Sequence, residues 1–165
     1  MRGSERFTQR ASTAITKAHD AALGMGHSYV GTEHLLLGII REGEGLGARI
    51  LADNALTDSV LTRMVTETVG RGVPGAPEQG LSPRARHVIE LAAEDANRLG
   101  HCYVGTEHIL MGILREADSA GARILVAAGG DLNKIYTDIM DVFGRPEYKP
   151  RPQQGAPRAQ PRRAA

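Results

Sequence analysis

An internal repeat is the feature that most constrains the fold of this chain. The run Gly-His-Ser-Tyr-Val-Gly-Thr-Glu-His at 26–34 returns at 100–108 with a single change. The offset is 74 residues (100 − 26), and it also relates Gly-Ala-Arg-Ile-Leu at 47–51 to the same five residues at 121–125. Because the offset holds without a gap, we expect two copies of one fold. Two copies are too few for a solenoid, so we predict a pseudo-twofold pair of lobes.

Each copy begins with a predicted helix. In the first copy, Thr8 is a candidate N-cap for a helix that runs to about Leu23. In the second copy, Ser82 is the candidate cap, and Pro83 takes the first helical position, where proline is favoured. The matching positions of Thr8 and Ser82 predict that the two copies begin their helices in the same register.

Three further helices are predicted in each copy. Thr32 and Thr106 are candidate N-caps for a second helix. The third helix includes residues 48–51 and 122–125, and the fourth spans about 58–69 and 132–143. No segment shows sustained alternation of apolar and polar residues, so we expect almost no strand. The predicted fold class is therefore all-α, with four helices in each copy.

The repeat and the composition divide the chain into four segments. The two repeats are predicted over residues 5–71 and 81–145. Residues 72–80 are rich in glycine and proline, which predicts a linker. Residues 146–165 consist mainly of proline, glutamine, glycine, alanine and arginine, so we expect a mildly basic, disordered tail.

The charge and the apolar pattern argue against several classes of protein. Twenty basic and nineteen acidic residues leave a net charge of +1, whereas nucleic-acid-binding proteins usually show a basic face. Apolar stretches such as 35–37 are far too short to cross a bilayer, and the first residues lack the apolar core of an export signal. Cys102 is the single cysteine, which rules out a disulfide framework. We therefore expect a cytoplasmic protein that binds neither nucleic acid nor membranes.

The repeated motif resembles that of a known family. Each copy reads Gly-His-x-Tyr-Val-Gly-Thr-Glu-His-[Leu/Ile]-Leu-x-Gly-Ile and is followed by Arg-Glu. This pattern, over residues 5–145, is similar to the Clp amino-terminal domain of ClpC-type unfoldases. The resemblance implies two four-helix repeats packed as one globular domain. It also implies a non-enzymatic module that receives protein substrates and adaptor proteins for a hexameric, ATP-driven unfoldase.

The chain departs from the long members of that family, which continue into two ATPase modules. None of its three lysines follows a glycine, so the phosphate-binding motif Gly-x-x-x-x-Gly-Lys-[Ser/Thr] is missing. The arginine-rich tail does not resemble the start of an ATPase module. Of the two alternatives, a free-standing protein and a piece of a larger one, we expect the first.

Glu33 and Glu107 are the principal candidate site residues. An acidic residue in the first turn of a helix is favoured by the helix dipole, and this explanation requires no ligand. The resemblance implies a second explanation, because ClpC-type domains bind phosphorylated arginine, and the glutamate of each Thr-Glu-His motif holds the guanidinium. A carboxylate pairs well with the planar fork of arginine.

The phosphate of such a ligand requires separate donors. Thr8 with Arg10, and Ser82 with Arg84, open the first helix of each copy, where backbone N–H groups favour anions. We expect these residues to face the phosphate. The candidate phosphoarginine-binding residues are Glu33, Glu107, Thr32, Thr106, Thr8, Arg10, Ser82 and Arg84.

The repeated histidines invite a metal interpretation that we consider unfavourable. His27 and His34 lie seven residues apart, but Gly31 separates them into loop and helix. Closed zinc sites need four suitable ligands, and no cysteine cluster accompanies the histidines. We expect them instead to hydrogen-bond the loop to the start of the helix. No nucleophile, base and acid recur together, so we predict no catalytic residue, no metal and no cofactor.

A second functional hypothesis is a regulatory decoy. Such a protein would sequester ligands or partners of a ClpC-type unfoldase, including cyclic peptides that target these domains. The family position that matches Leu81 is often aromatic, so Leu81 would weaken a stacked ligand contact. This difference argues against binding of the same ligands as ClpC-type domains.

Overall fold

The computed structural model describes residues 6–77 and 79–148, and this part of the chain contains eight α-helices. They are α1 (Gln9–Gly24), α2 (Thr32–Glu42), α3 (Leu46–Asp53), α4 (Asp58–Thr68), α5 (Pro83–Arg98), α6 (Thr106–Arg115), α7 (Ala120–Ala127) and α8 (Leu132–Phe143). Extended pairing in the described ranges consists of two isolated bridges, Phe7 with Val104 and Val30 with Leu81. The predicted all-α class is confirmed, and each bridge joins one repeat to the other.

The four helices of each repeat follow the 74-residue offset. Each helix of the second repeat begins 74 residues after its counterpart, as in α2 at Thr32 and α6 at Thr106. The predicted caps of the first helices are confirmed. The hydroxyl oxygen of Thr8 accepts a hydrogen bond from the Ala11 N–H at 3.1 Å, and that of Ser82 accepts one from the Ala85 N–H at 3.1 Å.

The predicted caps of the second helices are wrong. The N-caps are Gly31 and Gly105, and each threonine is the first helical residue. In the first repeat, Nδ1 of His34 accepts from the Gly31 N–H at 2.9 Å, so the start of the helix is satisfied without a threonine hydroxyl.

The threonine hydroxyls join the two repeats instead. Oγ1 of Thr32 accepts from the Gly121 N–H at 2.8 Å, and Oγ1 of Thr106 accepts from the Gly47 N–H at 2.9 Å. The two acceptors satisfy buried N–H groups at the starts of α7 and α3, where a helix has no backbone partner of its own. The repeats are therefore packed as one domain through a reciprocal pair of contacts.

Helices α2 and α6 form the centre of the molecule. In both, the first turn is buried along with the apolar residues that follow. Gly38 of α2 packs so closely on α1 that a Cβ there would overlap the carbonyl oxygen of Ala14. Helix α2 therefore lies directly against α1 within the first repeat.

The linker between the repeats and the start of the tail both contact the helical domain. In the predicted linker, the Gly72 N–H donates to the carbonyl oxygen of Met25 at 2.8 Å. Tyr148 lies in the segment predicted as a disordered tail, yet it packs against Phe143 with ring centroids 5.1 Å apart. The rest of the predicted tail, residues 149–165, lies outside the described residues. No helix in the described part of the chain has the length and apolar character needed to span a membrane.

Candidate functional site

Glu33 and Glu107 begin the two central helices and are almost completely buried. Glu33 is 9% exposed and Glu107 is 5% exposed. Each carboxylate folds back over the glycine that caps its helix, and a Cβ on Gly31 or Gly105 would overlap it. The glycine of the repeated motif therefore leaves the space that the carboxylate occupies, and a larger residue there would displace the carboxylate. The reason is steric, since the backbone is extended and any residue could adopt that conformation.

Two clefts contain the predicted site residues. We call the cleft around Glu33 the first cleft and the cleft around Glu107 the second cleft; their volumes are about 310 Å³ and about 500 Å³. The first cleft is lined by Thr32, Glu33, Ser82 and Arg84, and the second by Thr106, Glu107, Thr8 and Arg10. All eight candidates thus fall into two sets of four.

Each set is assembled across the two repeats. The Thr-Glu pair of the first repeat meets the start of α5, and the pair of the second repeat meets the start of α1. The sequence identified the residue types but not this exchange, because the offset relates equivalent positions and says nothing about which lobe faces which.

Burial dominates the electrostatics of both glutamates. Loss of solvation raises the pKa of Glu33 and of Glu107, and hydrogen bonds to the carboxylates oppose this only in part. Nδ1 of His34 lies 3.8 Å from the Glu33 carboxylate. It does not neutralise that charge, because burial lowers the pKa of His34 to about 4 and Nδ1 already accepts from Gly31. Within the described residues, neither carboxylate forms an ion pair with an arginine or a lysine.

The candidate arginines line the clefts and are paired with acidic residues. Arg84 lies 2.8 Å from Asp118 and 3.3 Å from Glu116. Arg10 is held more loosely, at 3.9 Å from Glu42 and 3.7 Å from Glu44. Both guanidinium groups are about half exposed, and their partners Glu44 and Asp118 are exposed as well. These two surface pairs contribute only about 0–1 kcal/mol each, so a stronger anion can compete for the arginines.

The histidines form a hydrogen-bonded chain, as predicted. His27 Nδ1 and His34 Nε2 are 2.7 Å apart, and His27 Nε2 lies 2.7 Å from the carbonyl oxygen of Gly70. The only consistent assignment has both rings neutral, with His34 Nε2–H donating to His27 and His27 Nε2–H donating to Gly70. His101 and His108 repeat the contact at 2.8 Å.

The hydrogen bonds of the histidines also argue against the metal interpretation. In the described ranges, one group of three potential ligands comes together, namely His27, Glu33 and His34. All four ring nitrogens of the two histidines already have hydrogen-bond partners. The arrangement explains the histidines as supports for the loop and the start of the helix.

Tyr148 is a site residue that sequence reasoning missed. Its hydroxyl donates to Oε2 of Glu107 at 2.6 Å, and its ring lies 5.2 Å from that of His101. Composition placed Tyr148 in the tail, because proline and charged residues surround it. The available signal was an aromatic residue five positions after Phe143, in a chain with only 4% aromatic residues.

Comparison with known proteins gives consistent results. The model of the Clp repeat (R) N-terminal domain family matches residues 6–128 and 81–163. The chain is 42% identical over 142 residues to the negative regulator of genetic competence ClpC/MecB of Bacillus subtilis, covering 86% of this chain and 18% of that protein. It is 41% identical over 141 residues to the chloroplastic chaperone ClpC1 of Oryza sativa, covering 85% and 15%. The chain thus spans less than a fifth of the length of these relatives.

Solved structures show the same fold. The N-terminal domain of ClpD from Arabidopsis thaliana superimposes with a TM-score of 0.71 at 26% identity, covering 84% of this chain and 98% of that one. The Hsp104 N-terminal domain from Candida albicans gives a TM-score of 0.67 at 21% identity, covering 85% and 93%.

Proposed function

Because this chain belongs to the Clp repeat N-terminal domain family, we propose that it is a non-enzymatic recognition module whose two clefts bind phosphorylated arginine side chains of protein substrates or adaptors. Domains of this family serve Clp unfoldases by binding substrates and adaptors. The finer assignment, to phosphoarginine, rests on the composition of the clefts.

The observation that carries the proposal is a buried carboxylate in the same cleft as several groups that favour anions. The starts of three helices line the second cleft: α6 at Thr106, α1 at Thr8 and α3 at Leu46. The first cleft has the equivalent arrangement, with α2, α5 and α7. Helix N-termini present N–H groups and a positive dipole end to an anion.

Phosphoarginine combines the two charges that these clefts accommodate. Its guanidinium would pair with the buried carboxylate of Glu33 or Glu107, which has no arginine or lysine partner among the described residues. Its phosphate would meet the helix N-termini and the arginine that lines the cleft, Arg84 or Arg10. Free arginine satisfies only the first set and inorganic phosphate only the second, so both should bind more weakly.

Calorimetric titration of the full chain with free phosphoarginine tests this proposal. A charge-assisted hydrogen bond contributes roughly 1.5–3 kcal/mol, so Glu33→Ala and Glu107→Ala should each weaken their own cleft about tenfold or more. The double variant should lose binding and keep its helical circular-dichroism spectrum. Glu94→Ala, at an exposed position of α5 that lines neither cleft, is the matched control. Unchanged affinity in the double variant would contradict the proposal and show that the two acids serve only as charges at the helix N-termini.

A further inference from the structure

We infer that Tyr148 closes the second cleft by occupying the place of the ligand's donor on Glu107, so that the two clefts differ in their availability. The identity of the ligand rests on the proposed function, whereas the closure rests on contacts within this chain. The inference concerns regulation of the second cleft alone.

The first observation is the hydrogen bond itself. The Tyr148 hydroxyl donates to Oε2 of Glu107 at 2.6 Å, the length of a strong O–H···O⁻ bond. A guanidinium that pairs bidentately with this carboxylate must donate to Oε2 as well as to Oε1. Ligand and tyrosine therefore compete for Oε2, and bidentate pairing requires Tyr148 to move away.

The second observation is that the ring is anchored. Tyr148 lies among the rings of His101 and Phe143, at centroid distances of 5.2 Å and 5.1 Å. Phe143 in turn stacks on His108 at 5.1 Å. Edge-to-face and offset contacts of this kind stabilise aromatic clusters beyond the area that they bury. The cluster keeps the hydroxyl directed at the carboxylate.

The third observation is that the first cleft has no matching arrangement within the described residues. The 74-residue offset places Pro74 opposite Tyr148, and Val69 opposite Phe143. Val69 is 43% exposed. The tyrosine that lines the first cleft, Tyr29, directs its hydroxyl to the side-chain oxygen of Gln79 at 3.4 Å. Glu33 therefore keeps its carboxylate available.

The ligand binds only the open form of the second cleft. The apparent affinity is therefore the intrinsic affinity multiplied by the fraction of molecules in which the cleft is open. A hydrogen bond to a charged group corresponds to about tenfold to a hundredfold in an equilibrium constant. The first cleft is thus the principal site in the free chain, and the second responds to whatever displaces Tyr148.

Carbodiimide labelling of carboxyl groups, followed by peptide mass mapping, tests the closure without any ligand. In the full chain we expect Glu107 to react more slowly than Glu33. Tyr148→Ala should accelerate labelling of Glu107 and leave Glu33 unchanged, and Tyr148→Phe, which keeps the ring, should have a smaller effect. Tyr136→Phe, at a partly exposed site that lines neither cleft, is the control. An unaltered Glu107 rate in both Tyr148 variants would overturn the inference.

Phosphoarginine titration in the Glu33→Ala background then isolates the second cleft. There, Tyr148→Phe and Tyr148→Ala should raise the affinity about tenfold or more. A lower affinity in both variants would make Tyr148 a ligand contact and overturn the closure. If Tyr148→Ala accelerates labelling but no variant binds phosphoarginine in either cleft, the closure stands and the proposed function fails.

Discussion

The first and second clefts are assembled from matching residues, yet Glu33 lies beside Tyr29, whose hydroxyl is engaged elsewhere, whereas Glu107 lies under Tyr148. The glycine cap, the contact between the two histidines and the cross-repeat threonine recur on both sides. What differs comes from outside the repeated motif. A duplication thus preserves the frame that buries a carboxylate, while flanking residues adjust access to it.

Glycines at close helix contacts give the comparison of the two repeats with the largest expected change in unfolding free energy. At Gly38, a Cβ would overlap the carbonyl oxygen of Ala14 and lie 2.9 Å from the Ala18 nitrogen. At the equivalent Gly112, it would lie 2.8 Å from the carbonyl oxygen of Val88. Gly38→Ala meets two backbone atoms and should cost about 3 kcal/mol of unfolding free energy, and Gly112→Ala about 1 kcal/mol. Urea unfolding measures both, and equal costs would show that the repeats pack alike.

The histidine chains make stability depend on pH in both repeats. Burial lowers the pKa of His34 to about 4 and that of His108 to about 3. A histidine with a depressed folded-state pKa stabilises fully above its unfolded pKa, near 6.5, and this stability is lost as the pH falls towards the folded value. Each should cost roughly 2 kcal/mol by pH 5, at about 1.4 kcal/mol per pH unit.

Replacing one histidine at a time distinguishes the contributions of the two repeats to this pH dependence. His34→Gln should reduce the slope of unfolding free energy against pH by about 1.4 kcal/mol per unit between pH 6 and 5. His108→Gln should do the same and also alter the slope between pH 4 and 3, where His34 has already titrated. The raised pKa values of Glu33 and Glu107 act with the opposite sign, but they are common to all the variants. Identical slopes in the wild type and both variants would contradict the assignment of His34 and His108 as buried and neutral.

The arginine in the last turn of each central helix provides a smaller contrast. Arg115 lies 2.6 Å from Asp95, whose side chain is only 2% exposed, whereas Arg41 pairs with the exposed Asp58 at 3.1 Å. Arg115→Ala leaves a buried carboxylate with Arg98 as its remaining partner and should cost about 2 kcal/mol. Arg41→Ala should cost less than about 1 kcal/mol. Thermal unfolding of the two variants side by side would show whether burial of the acid sets the difference.

Local signals in the sequence predicted most of the fold. The hydroxyls of Thr8 and Ser82 satisfy N–H groups three residues away, so the helix starts could be inferred from neighbours in the chain. The pairing of each Thr-Glu with the other repeat, and the contact of Tyr148 with Glu107, join residues 41 or more positions apart. No periodicity reports such contacts, because the first depends on how the lobes pack and the second on how the chain after α8 folds back on its own repeat.

Thr32 and Thr106 test the same distinction between local contacts and contacts across the repeats. As helix caps they would stabilise their own repeat, whereas in the structure they accept hydrogen bonds from Gly121 and Gly47 of the other. Replacement by valine keeps the shape and leaves a buried N–H group unpaired, which should cost roughly 1–2 kcal/mol in either repeat. Hydrogen exchange identifies the group that is affected. Thr32→Val should accelerate exchange of the Gly121 N–H, and Thr106→Val that of Gly47. Faster exchange confined to the start of the mutated helix would restore the capping role and weaken the case for a symmetric joint between the repeats.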